Sequence, residues 1–88
     1  MTVLEEYKEI QKRIKSVDNQ EKYKHLYLSE NLSPNEKDLL FALKELELCV
    51  RPLNNDDSLE KEKRQLFINS ANLFLKRIKR CLEIDNWN

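Results

Sequence analysis

An all-α fold, with a short N-terminal amphipathic helix leading into an antiparallel helical hairpin, is what this sequence predicts, and three observations carry it. The 88 residues hold no glycine, only two prolines and 36% charged side chains, which suits one small helical domain with a limited core and a heavily solvated exterior. Helix-start signatures of the capping-box kind recur along the chain. Apolar residues return at intervals of three and four.

The first helix is predicted over residues 3–18. Thr2 stands at its cap with Glu5 three residues on, and Leu4, Tyr7, Ile10, Ile14 and Val17 form one apolar stripe. Asp18, Asn19 and Gln20 break that period. The connector 19–32 mixes Lys22, Tyr23, Lys24, His25, Tyr27 and Ser29 without a clean repeat, so its residues fit either a short helix or an ordered turn.

Ser33-Pro34-Asn35-Glu36 marks the next start, because serine caps, proline is tolerated at the first helical position and glutamate reaches back from the third. The second helix is predicted over residues 34–51, ending before Pro52, with an apolar coat interrupted only by Lys44, Glu45 and Glu47. A short polar loop from Pro52 to Ser58 suits antiparallel neighbours. Asp57 and Glu60 propose a third capping box, opening a third helix over residues 58–84.

Folding about that loop sets Leu43 near Leu66 and Pro34 near Leu75. The third helix, roughly 39 Å long against roughly 27 Å for the second, would then overhang it, to be covered by the first helix or the connector. Cys49 and Cys81 fall too far apart for a disulfide in this register and read as small core residues. Two helices coated on most sides exceed what one short helix can cover, so the chain is expected to form a homo-oligomer.

Lysine plus arginine balances aspartate plus glutamate at 16 each, so no overall field favours DNA or an anionic membrane. No apolar run approaches the roughly 20 residues of a transmembrane helix, and no signal-peptide pattern opens the chain, so the expected location is the cytosol. The absence of glycine removes the phosphate-cradling loops of nucleotide hydrolases and dinucleotide-binding folds. His25 belongs to no nucleophile motif, and no cofactor or metal set is visible. The expectation is a binding protein and not an enzyme.

The stretch from Lys22 to Asn31 brings π faces, cations and hydroxyls together, the combination with which proteins hold unpaired bases. Residue chemistry alone favours the plainer reading, in which its tyrosines pack on the overhang and its lysines are solvated. Tyr7 has the same two readings, core ring or ligand contact. Lys76, Arg77, Lys79 and Arg80 suit the negative end of a helix dipole, whereas Lys61, Lys63 and Arg64 oppose the dipole at the helix start, which singles out Arg64 unless Glu60 or Glu62 explains it.

From about Lys22 to Ile84 the chain resembles the hairpin domain of the phage anti-CBASS cyclic-oligonucleotide sponge proteins. The resemblance rests on the lead-in Lys22-Tyr23-Lys24, the helix start Leu32-Ser33-Pro34-Asn35-Glu36, Lys44, the loop Asn54-Asn55-Asp56-Asp57, Arg64, and the run from Leu66 through Arg80. The chain departs from that pattern in lacking a glycine before the lead-in tyrosine and a tryptophan after the arginine. The resemblance implies a phage protein of the host cytoplasm that assembles as a homohexamer. It would sequester, without cleaving, the cyclic dinucleotides (cGAMP-like) and cyclic trinucleotides of bacterial immune signalling. It further implies a dinucleotide pocket using Tyr7 with Lys22 or Lys24, and a second, trinucleotide-type site using Arg64; His25 and Ser29 are added as candidate ligand contacts from the composition of the Lys22 to Asn31 stretch. The other reading of the chain is a small helical protein-interaction module, an immunity protein or a phage inhibitor of a host enzyme.

Overall fold

The computed structural model describes residues 2–55 and 58–87, and every described element is helical. The first helix, α1 (Val3–Ile14), starts as its capping box requires: the Thr2 hydroxyl accepts from the Glu5 N–H at 3.2 Å and donates to the Glu5 carboxylate at 3.1 Å. Glu5 and Glu6 in the first turn, with Lys12 and Arg13 in the last, complement the helix dipole.

α1 ends four residues short of the expected boundary. Ser16 is extended, a single 3-10 turn follows at Val17–Asn19, and the buried Asn19 amide donates to the Arg13 carbonyl at 2.8 Å, satisfying a group the helix end leaves open. Val17 therefore leaves the apolar stripe and is 82% exposed. The connector, whose conformation the residues left open, forms a second helix, α2 (Gln20–Leu28), which buries Leu26.

α3 (Pro34–Asn55) begins at the Ser33 capping box, with the Glu36 N–H donating to the Ser33 hydroxyl at 3.1 Å and the Ser33 N–H to the Glu36 carboxylate at 2.8 Å. It does not stop before Pro52 as expected but runs through it for another turn. The bond that proline forfeits is to the carbonyl of Leu48, a half-exposed residue where water can serve instead, while one residue on Leu53 is buried in the core. α4 (Lys61–Ile84) starts three residues later than expected, after an extended Glu60 that makes no side-chain cap bond. Asp57 of the expected third capping box lies outside the described residues.

These shifted ends move the register. The Asn35 amide donates to the Cys81 carbonyl at 3.2 Å, Asp38 pairs with Arg77 at 3.0 Å, and the rings of Phe41 and Phe74 meet edge to face at 6.3 Å. Each pair sums to about 116, where the expected Leu43 with Leu66 sums to 109. The turn between the helices centres near residue 58 because α3 outlasts Pro52, and the expected overhang of the last helix all but disappears.

Ile14, Leu26, Leu39, Leu46, Leu75, Ile78 and Leu82 are fully buried, so all four helices reach one core. Cys49 and Cys81 are buried and free, and the Cys81 thiol donates to Asp38 at 3.5 Å. Past α4 the chain folds back: Asn86 takes a left-handed conformation (φ 56°), which asparagine tolerates, and Trp87 is buried with its N–H donated to the Leu82 carbonyl at 2.9 Å. The Trp87 carbonyl accepts two bonds from the Arg13 guanidinium, from Nε at 3.0 Å and from Nη2. Among the described residues no helix is long and apolar enough to cross a membrane.

Candidate ligand-binding grooves

Four of the six residues singled out in the sequence, Tyr7, Lys22, His25 and Arg64, fall on three separate grooves. Tyr7 lines one of about 560 Å³ along the outer side of α1, with Lys8, Gln11, Lys12 and Lys15. Spacings of one, four, five and eight residues from Tyr7 put these side chains on one helical face. Behind Tyr7 stand Glu47 and Arg51 of α3, paired at 3.1 Å, and Tyr27 of α2, whose ring stacks at a tilt on Tyr23 with centroids 4.7 Å apart.

Burial, and then the nearby Glu47 carboxylate, push the Tyr7 phenol up from its ordinary value, with Arg51 opposing. Tyr27 is raised in the same way, by burial first and then by Tyr23, Glu47 and Tyr7. Both therefore stay protonated in the neutral range and keep a hydroxyl to donate. Glu5 and Glu9 share an adjoining groove with Lys8 and Lys12, so the positive end of the Tyr7 groove lies toward Lys15.

The second groove, of about 360 Å³, brings Lys22 and His25 together with Glu21, Glu36, Asp85 and Trp87. Both side chains are engaged there. The Lys22 ammonium donates to the carbonyls of Asp85 at 2.9 Å and Asn86 at 2.5 Å, just past the negative end of α4. His25 Nε2 lies 2.7 Å from the Glu36 carboxylate. With three carboxylates on its walls this groove repels a phosphate. Ser29 is used locally, its hydroxyl accepting from the Asn31 N–H at 3.1 Å, and Lys24 is exposed on α2.

Arg64 lies on the third groove, of about 410 Å³, among Thr2, Val3, Leu4, Leu53, Ile68 and Asn72. Its walls are mainly aliphatic, which suits an apolar group better than a stack of bases. The six expected residues therefore do not converge in one chain. Lys8, Lys12 and Lys15 were missed because Glu5, Glu6 and Glu9 lie among and before them, although the four-and-three spacing that aligns the lysines with one another is visible in the sequence. Among the described residues no group of histidine, cysteine, aspartate and glutamate side chains is arranged to hold a metal ion. Compared with family models, curated proteins and solved structures, the chain matches none.

Proposed function

We propose that this chain is a non-catalytic binding protein that sequesters a cyclic dinucleotide or trinucleotide, and that it acts as a phage protein in the host cytoplasm against CBASS immunity. The observation that carries the reading is the Tyr7 groove, where a half-buried phenol ring flanks three lysines on one helical face. A ring stacks a base, and point cations offset the phosphate repulsion that a closed ring of nucleotides cannot relieve by bending away. In this reading α3 and α4 form the antiparallel hairpin of a homo-oligomer, and the Lys22 expected in the pocket yields its place to Lys8, Lys12 and Lys15.

The test is isothermal titration of the purified chain with cyclic dinucleotides and trinucleotides, followed by chromatography of the ligand released on digestion. Binding with intact ligand recovered is the expected result. Tyr7→Ala should then weaken binding by about 1–3 kcal/mol, the contribution of one stacked base. Absence of heat from every member of the panel would overturn the reading.

A second reading, a protein-interaction module without a nucleotide ligand, is favoured by a different observation. Phe41, Leu48, Leu66 and Leu73 are each more than half exposed, an apolar surface that nothing in one chain covers. An inhibitor of this kind would be indifferent to Tyr7→Ala.

A further inference from the structure

α1 packs against one side of the α3 and α4 pair, and the side turned away from it carries several exposed apolar residues. Phe41 of α3 meets Phe74 of α4 there, with the Arg77 guanidinium 5.9 Å from the Phe41 ring centre. Leu48 lies two helical turns from Phe41, while Leu73 lies one turn from Arg77 and two turns from Leu66, so these share the same side. Four of these residues, Phe41, Leu48, Leu66 and Leu73, are 51%, 55%, 65% and 69% exposed. At about 150–250 Å² for a large side chain, such exposures add up to several hundred Å², the upper range for a monomer's largest patch.

The charges on that side are ordered along it. Glu62, Leu66, Leu73 and Arg80 make one stripe on α4, at intervals of four, seven and seven, with an acid at one end, a base at the other and two leucines between. Arg77 reinforces the basic end, where Asp38 of α3 pairs with Arg77 at 3.0 Å and Arg80 at 3.5 Å and leaves one positive charge over, and Glu60 lies just beyond the acidic end. Lys63, three residues before Leu66, offsets one of the two glutamates at that end, whereas helical spacing turns Lys61 and Arg64 toward the α1 side, where Arg64 meets Thr2 and Leu4.

A stripe that runs from acid to base through an apolar middle is complementary to itself when reversed. We infer that this face closes on the same face of a second copy, with the two α4 helices antiparallel across a two-fold axis near Asn69 and Ser70. In that arrangement Leu66 of each copy meets Leu73 of the other, since both pairs lie equally far from the axis. Glu62 of each comes within reach of Arg77 and Arg80 of the other. An isologous contact of this kind repeats every favourable pairing twice, which no unrelated partner does. The inference names the interface for the self-association in the proposed reading and is independent of the nucleotide ligand.

Sedimentation equilibrium of the full chain between about 1 and 100 μM tests it. A dimer, or an assembly of dimers, is expected. Leu66→Glu with Leu73→Glu, both at exposed positions, should raise the dissociation constant at least about tenfold while far-UV circular dichroism shows the helices intact. Glu62→Arg alone and Arg80→Glu alone should each weaken association, and an equimolar mixture of the two variants should associate more tightly than either alone, because both contacts between positions 62 and 80 then join opposite charges. A wild-type monomer at 100 μM would overturn the inference, as would an oligomer indifferent to the leucine changes or a mixture no tighter than its components. Nucleotide titration of the leucine variant separates the two proposals, since the Tyr7 groove lies on α1.

Discussion

The ammonium of Lys22 and the guanidinium of Arg13 both end on carbonyls of the segment that follows α4, more than sixty residues away along the chain. Lys22→Met keeps the aliphatic stem and removes the charge, so it should lower stability by about 1–2 kcal/mol in urea denaturation and leave nucleotide affinity within a factor of about two. Glu36 carries a pH dependence of defined sign. The Ser33 N–H donated to it holds its carboxyl below the ordinary 4.5, against the opposing effect of burial and with help from the Ser33 hydroxyl and His25. A depressed carboxylate stabilises the fold above its unfolded value, and that contribution is lost as pH falls through the folded one. Glu36→Gln should therefore be less stable than the parent chain at pH 7, with the gap narrowing as pH falls below 4.5 in a series of urea titrations. The Cys81 thiol is pushed up to about 11 by burial and by its bond to Asp38, so iodoacetamide at pH 8 should leave it unmodified until the protein is denatured.

Each helix boundary depends on whether its stop signal is local. The starts of α1 and α3 were legible because a capping box is complete within four residues, as Thr2 with Glu5 and Ser33 with Glu36 show. The end of α3 was not, because Pro52 is a strong local stop overridden by the burial of Leu53 against the core, a tertiary effect with no trace in the period of the helix. That one displacement moved the turn, the register and the supposed overhang together. The end of α1 was hidden for a related reason: Val17 continues the apolar stripe, and only the Asn19 amide, reaching back to the Arg13 carbonyl, makes an earlier end stable. Asn19→Ala should consequently cost about 1–3 kcal/mol and speed amide exchange in the last turn of α1 before it does so in α3. Of the candidate site, Tyr7 was legible as an aromatic residue on α1, whereas the engagement of Lys22 and His25 depends on carbonyls and a carboxylate that local spacing does not reveal.

At the scale of the whole molecule, the helices are joined as much by the returning end of the chain as by the core. Trp87 is 3% exposed and belongs to that core, although it stands outside every helical period. Trp87→Ala should cost about 3–5 kcal/mol, seen as a lower midpoint in thermal denaturation, and α1 should be the first helix to lose protection from exchange. The same segment has a consequence for how the fold is reached during synthesis. A ribosome makes Arg13 and Lys22 long before their acceptors at Trp87, Asp85 and Asn86, separated from them by 74, 63 and 64 residues. The α3 and α4 pair has most of its partners before then, and α1 and α2 can already pack on α3, but their ties to the returning segment wait for it to emerge. The N-terminal part of this protein, which carries the Tyr7 groove, is therefore made first and fixed in place last.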